Sequence, residues 1–76
     1  MFTAHHFRYL MNAQPFRPFR VTLTDGRNFE VTNHDAAFVK RGALEIGLDP
    51  DAEGIAEKFV DCSLLHITSV QPLQPA

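Results

Sequence analysis

Hydrophobic and polar residues alternate along the chain on both sides of an Asp-Gly pair, between residues 15 and 32. The apolar positions are Phe19, Val21 and Leu23 before the pair, and Phe29 and Val31 after it. A period of two residues, with aromatic and β-branched side chains, is typical of strands that bury one face. The pattern therefore predicts a β-hairpin.

The length of the turn decides which side chains of this hairpin share a face. A two-residue loop at residues 25–26 would place Phe29 on the polar face, because a shift of one residue moves every side chain to the opposite face. A three-residue loop at residues 24–26, with Gly26 in the left-handed conformation, keeps the apolar residues together. We therefore expect the three-residue loop. The pairs that it predicts are Phe19 with Val31 and Val21 with Phe29.

A short amphipathic helix is predicted before the hairpin, at about residues 3–13. Phe7, Leu10 and Met11 recur at spacings that place them on one helix face, and Thr3 is a candidate N-cap. Two prolines that follow end the helix. A helix this short is marginal alone, so we expect it to dock on the sheet or on a partner.

Two further strands are predicted at residues 36–39 and 43–48. A three-residue loop that ends at Gly42 would repeat the geometry of the first turn and gather the apolar residues on one face. The pairs that it predicts are Phe38 with Leu44 and Ala36 with Ile46. An acidic loop at residues 49–54 follows, and then a last pair of elements at 55–61 and 66–70, joined by one turn of 3₁₀ helix.

The chain of 76 residues has room for one domain with a single modest core. We predict a mainly β fold with one N-terminal helix. Its sheet, a five-stranded small barrel at about residues 16–71, bends on itself and so removes exposed edges. Residues 72–76 are expected to be a flexible tail. Because so small a core leaves little stability, self-association is a plausible supplement.

Charge is divided unevenly along the chain. Residues 1–41 carry six Arg/Lys against three Asp/Glu, whereas residues 42–76 carry one against six, for a net charge of −2. A protein that binds nucleic acid by charge alone is usually more basic, since neutralised phosphates supply most of the affinity. The asymmetry favours head-to-tail contact between subunits, unless the two halves interleave in space.

The cellular compartment of the protein is indicated by its use of cysteine and by the absence of targeting patterns from the sequence. Cys62 is the only cysteine, which excludes an internal disulfide and fits a reducing compartment. The sequence contains neither a signal-peptide pattern nor a run of about 18 apolar residues. We expect a cytoplasmic protein that does not associate with membranes.

Histidine and cysteine do not follow a pattern that predicts metal binding or catalysis. His5 and His6 diverge by about 100° on a helix, and the paired ligands at short spacing that zinc sites use are absent. Cys62 has only His66 as a base nearby in the sequence, and no phosphate-binding loop, nucleophile elbow or carboxylate pair is present. We predict no metal, no cofactor, no catalytic residue and no small-molecule substrate, so not an enzyme.

Arginine supplies the remaining candidate chemistry. Arg20 and Arg27 belong to the first hairpin, and Arg17 precedes it beside Phe16. A guanidinium with a neighbouring aromatic ring can hold a phosphate and stack on a base. The alternative interpretation is a solvated strand face, because acidic residues share the same small body.

The stretch PFRPFRVTLTDGRNFEVTNHD, followed by LLHITSV, resembles a family of small, uncharacterised bacterial proteins over roughly residues 10–70. The order of elements also resembles the Sm-like, Hfq-like small barrel proteins, in which an N-terminal helix caps the barrel and subunits close into rings. That resemblance implies an Sm-like barrel, with RNA contacts at His34 and His66. The chain differs from those proteins at Val31, where they keep a glycine, and at residues 64–65, where they have a basic-histidine pair.

Two functions follow from these observations. The first is a non-enzymatic interaction or assembly module that forms a homo-oligomer through edge strands or the helix. The alternative is an Sm-like RNA-binding regulator, and another protein is also a conceivable partner. The candidate nucleic-acid-binding residues are Arg17, Arg20, Arg27, His34 and His66.

Overall fold

The computed structural model describes residues 1–73. This part of the chain contains one α-helix, one 3₁₀ helix and six strands, which are joined by turns and loops. In chain order the elements are α1 (Ala4–Asn12), β1 (Phe19–Leu23), β2 (Asn28–Val31), β3 (Ala37–Val39), β4 (Ala43–Leu48), β5 (Lys58–Ser63), a 3₁₀ helix (Leu64–His66) and β6 (Ile67–Pro72). The strands form two antiparallel sheets, a first sheet in the order β2-β1-β6 and a second sheet in the order β3-β4-β5. The tail predicted at 72–76 lies outside the described residues from position 74 onward, and Pro72 ends β6.

The first hairpin has the predicted register. Phe19 pairs with Val31 and Val21 pairs with Phe29. The turn closes with Leu23 N–H donating to the Arg27 carbonyl oxygen at 2.8 Å, and Gly26 has a φ of 92°, in the left-handed region. The three-residue loop is therefore confirmed.

The N-terminal helix is also confirmed. The Thr3 side chain accepts a hydrogen bond from the His6 backbone N–H at 3.1 Å, which is the expected N-cap. Phe7 and Met11 are buried, and Leu10 packs at the margin of the core. The helix covers the space between β1 and the second sheet, because the Phe7 ring lies 6.2 Å from the Phe19 ring and α1 contacts β3 and β4.

The predicted register of the second hairpin is wrong by one residue. Phe38 pairs with Glu45, and the predicted partner Leu44 pairs with Val39. Lys40 N–H donates to the Ala43 carbonyl oxygen at 2.9 Å, so the loop has two residues, and Gly42 is not left-handed. The physical reason lies in the packing of α1, which leaves room for small side chains on the inner face of β3 and turns the Phe38 ring outward, 68% exposed.

The predicted five-stranded barrel is wrong in strand number and in closure. The six strands lie in two open sheets, and within residues 1–73 no strand of one sheet pairs with a strand of the other. The chain leaves the first sheet at a turn in which the Asn33 side chain accepts from Asp35 N–H at 2.9 Å and the Asn33 carbonyl accepts from Ala36 N–H at 3.0 Å. It returns through the 3₁₀ helix. The bonds of the Asn33 turn hold the chain out of the extended conformation between β2 and β3, so no ladder joins the two sheets there as a closed barrel requires.

The core lies between the two sheets and the helix. Its buried members are Phe7, Met11, Phe19, Val21, Leu23, Val31, Leu44, Ile46, Cys62, Leu64 and Ile67. Among the described residues no helix is both long and apolar enough to span a membrane.

Candidate binding surfaces

Arg20 and Arg27 are each engaged by a carboxylate. Arg20 Nη2 lies 2.8 Å from Glu30 Oε2, its cross-strand neighbour, and Arg27 Nε lies 2.8 Å from Asp25 Oδ2 within the turn. The Arg27 backbone N–H also donates to Asp25, and together these bonds lower the pKa of the Asp25 carboxyl below its ordinary value. The positive charge of both arginines is thereby offset locally.

The two predicted histidines lie at different ends of the first hairpin. His34 is in the turn between β2 and β3, with Nδ1 3.7 Å from Asp35 Oδ1. His66 ends the 3₁₀ helix, and its carbonyl oxygen accepts from Thr24 N–H at 2.8 Å, which places it beside the turn that contains Arg27. Strand β1 separates these ends by about 15 Å at roughly 3.3 Å per residue. The five predicted residues therefore do not form one site.

Arg17 belongs instead to a groove along the exposed side of α1. The groove has a volume of about 840 Å³, and its charged or aromatic lining residues are His5, Arg8, Tyr9 and Arg17. No carboxylate lines it. Neither Arg8 nor Arg17 forms an ion pair with any residue in the range 1–73. We call this surface the basic groove.

The sequence of α1 contains a signal for the basic groove. His5, Arg8, Tyr9 and Asn12 recur at the spacing of one helix face, opposite the buried stripe. Tyr9 is 74% exposed, so its ring is available for contact with a partner. A helix with an apolar stripe and a cationic, aromatic stripe presents two different surfaces, and only the first is used by the core.

The acidic loop connects β4 to β5 and extends three residues beyond its predicted range, to residues 49–57, for which the name is used from here on. The Asp51 side chain orders it by accepting hydrogen bonds from the N–H groups of Glu53 at 2.9 Å and Ile55 at 3.0 Å. Ala56 of the loop lies close to Gly47 of β4. A Cβ atom added at Gly47 would be only 3.0 Å from the Ala56 Cβ. The loop is thus held in place by local bonds and by a close contact.

Three carboxylates of this loop remain available to a partner. Asp49, Glu53 and Glu57 form no ion pair with residues 1–73, whereas the Asp51 carboxylate is used within the loop. Among them stands Ile55, 61% exposed. The acidic loop therefore combines negative charge with an apolar side chain that the fold does not bury.

Groups suited to metal binding or covalent chemistry are scarce in the described residues. Within positions 1–73, no cluster of three or more His, Cys, Asp or Glu is arranged to hold a metal ion. Cys62 is fully buried, and this burial raises the pKa of its thiol. A thiol in that state is protonated near neutral pH and is a poor nucleophile.

Comparison with known proteins gives no match: no family model matches the chain, and neither a curated protein nor a solved structure is similar to it. The resemblance to small bacterial proteins stays a prediction. The basic groove and the acidic loop are accordingly the features from which a function can be inferred.

Proposed function

We propose that this protein is a non-enzymatic assembly module that associates with copies of itself head to tail, with the acidic loop of one copy in the basic groove of the next. The observation that carries the proposal is the pairing of two surfaces on one chain. Two arginines without an ion pair within residues 1–73 line a groove that has no carboxylate, and a loop displays three carboxylates, of Asp49, Glu53 and Glu57, that are likewise unpaired there.

The chemistry of the two surfaces is complementary beyond their charge. Guanidinium and carboxylate form strong, often bidentate hydrogen bonds, so Arg8 and Arg17 suit partners such as Glu53. Ile55 and Tyr9 are both exposed and supply the apolar contact that stable interfaces place inside a polar rim. Each surface offers what the other lacks.

The symmetry of the assembly follows from the use of two different surfaces. A contact in which each copy uses its groove toward one neighbour and its loop toward another is heterologous, and it propagates into a ring or a filament; a two-fold dimer would instead require both contacts to form between the same two copies. A stable interface buries about 600–800 Å² on each partner. That is roughly 11–15% of the 5473 Å² surface of one copy.

Association is tested by light scattering or sedimentation over a range of protein and salt concentrations. We expect the molar mass to rise with protein concentration and to fall as salt screens the charges. Arg8→Glu should reduce association. Arg41→Glu, the same change at an exposed arginine outside the groove, should not. A monomer at high concentration in low salt would refute the proposal.

A mixing experiment identifies the two surfaces. One variant carries Arg8→Glu with Arg17→Glu, and a second carries Glu53→Lys with Glu57→Lys; Asp51 is left intact because it orders the loop. Each variant alone should be monomeric, because its groove and loop repel. A mixture of the two should associate again, since each reversed groove faces a reversed loop. Failure of the mixture to associate would exclude this pair of surfaces.

RNA binding is the second candidate function. The basic groove is a better candidate surface for RNA than the first hairpin is. Arginines beside an exposed tyrosine provide phosphate contacts and a stacking surface for a base. In a salt titration with mixed single-stranded RNA, affinity should fall as salt rises and should be lost in the variant with Arg8→Glu and Arg17→Glu. If Arg20→Glu lowered the affinity for RNA equally, the first hairpin would be part of the binding site. Absence of binding at low salt would exclude RNA as a ligand.

A further inference from the structure

A second depression, largely apolar, adjoins the basic groove on the other side of Arg17. It has a volume of about 300 Å³ and lies between α1, the segment that leads into β1, and the end of β6. Its apolar walls come from Phe2, Leu10, Phe19 and Val70. We call it the apolar cavity.

Aromatic packing holds the walls of the apolar cavity in place. The Phe2 ring lies 5.7 Å from the His6 ring and 6.1 Å from the ring of Phe7, which is fully buried. The Phe7 ring in turn lies 6.2 Å from that of Phe19. Because these rings interlock with the core, the cavity exists without a ligand to shape it.

The polar groups of the cavity are few, and the permanent charge among them is that of Arg17. Arg17 stands at its margin, His6 lies beside it, and no carboxylate lines it. Within residues 1–73 the Arg17 guanidinium has neither an ion pair nor a side-chain hydrogen bond. An apolar enclosure with one well-placed charged group is the usual composition of a small-molecule site.

We propose that the apolar cavity binds a small carboxylic acid with an apolar body. The body lies against Phe2, Leu10 and Val70, and the carboxylate is held by the Arg17 guanidinium. The volume is at the lower end of the range for ligand pockets, which restricts the ligand to a short aliphatic or single-ring acid. One guanidinium matches one planar carboxylate in charge and geometry. A phosphate monoester would bring about 1.5–2 negative charges to this single guanidinium.

This inference goes beyond the proposed function and can be tested separately from it. Arg8 lines the basic groove but not the apolar cavity, whereas Val70 lines the cavity but not the groove. Loss of self-association in Arg8→Gln with ligand binding retained would separate the two surfaces. Arg17 borders both and is used only to test the carboxylate contact.

Octanoate is the probe, measured by calorimetry or by chemical-shift changes at Leu10 and Val70, with octanamide as its neutral counterpart. We expect octanoate to bind, and octanamide to bind about tenfold more weakly or worse, because the charge-assisted bond is lost. Arg17→Gln should lower the affinity for octanoate by a similar factor, while Arg8→Gln should leave this affinity unchanged. Val70→Phe should block the cavity.

Three results would overturn the proposal. If octanoate does not bind at millimolar concentration, the cavity is not a site for such acids. If octanamide binds as tightly as octanoate, the proposed contact between the carboxylate and Arg17 is refuted. Unchanged affinity in Arg17→Gln removes the assigned residue. Should Val70→Phe not fold, Arg17→Gln still decides, since Arg17 is exposed and contributes no buried contact.

Discussion

Gly26 and Gly42 occupy the two hairpin turns and provide a matched pair for testing how backbone conformation sets stability. A Cβ atom at either glycine would meet nothing within 4 Å, so replacement by alanine creates no clash at either position. The difference between them is conformational, because Gly26 has a φ of 92° and Gly42 lies outside the left-handed region. Gly26→Ala should therefore destabilise the protein and Gly42→Ala should not.

The magnitude follows from two opposing effects. A side chain in the left-handed region costs about 1–2 kcal/mol. Removing a glycine also restricts the unfolded chain, which stabilises both variants by about 0.4–1 kcal/mol and cancels in their difference. The two variants should thus differ by about 1–2 kcal/mol in free energy of unfolding, or roughly 5–15 °C in Tm for a domain of this size.

Thermal and urea unfolding followed by circular dichroism measure this difference. Gly26→Asn serves as a further control, because asparagine tolerates the left-handed region and should recover part of the loss. Equal stability of the two alanine variants would refute the reasoning. It would mean that the first turn relaxes to another loop length without cost, and that the strand register does not depend on Gly26.

Three further outcomes are expected. Thr3→Ala should lower the free energy of unfolding by about 1 kcal/mol through loss of the helix cap, with Thr3→Ser as control; no change in urea unfolding would contradict the cap. Cys62 should resist thiol reagents in the native protein and react on unfolding, and rapid native labelling would argue against its burial. Phe38→Ser should change stability by less than about 0.5 kcal/mol, whereas Leu44→Ala should cost about 2–5 kcal/mol. A large loss in Phe38→Ser would favour the register in which Phe38 pairs with Leu44.

The first hairpin could be predicted from sequence and the second could not, for a physical reason. In the first, one register buries Phe19, Val21 and Val31 together, and the other exposes Phe29. In the second, each register offers an apolar set, either Phe38 with Ala36 or Ala37 with Val39. In the folded protein α1 contacts β3, and Ala37 and Val39 pack against the core; the sequence does not contain this tertiary packing as a local pattern.

The candidate surfaces show the same division between local and distant information. The predicted register already places Arg20 opposite Glu30, so its neutralisation could have been inferred from sequence. The cationic stripe of α1 is likewise local. That Arg17 joins Arg8 in one groove depends on the path of the chain between α1 and β1, which no periodicity predicts.

The charge asymmetry of the sequence is retained in the folded protein, because the segment of the acidic half that joins the first sheet, β6, is uncharged. Strand β6 comes from the acidic half of the chain yet pairs with β1, so interleaving could have mixed the charges. Its residues, ITSVQP, include no charged side chain. The basic residues that lie on the second sheet are confined to the β3–β4 turn and Lys58, and Lys40 of that turn is held by Asp61 at 2.7 Å. The helix side therefore stays basic and the β4–β5 loop stays acidic, which is the condition that head-to-tail association requires.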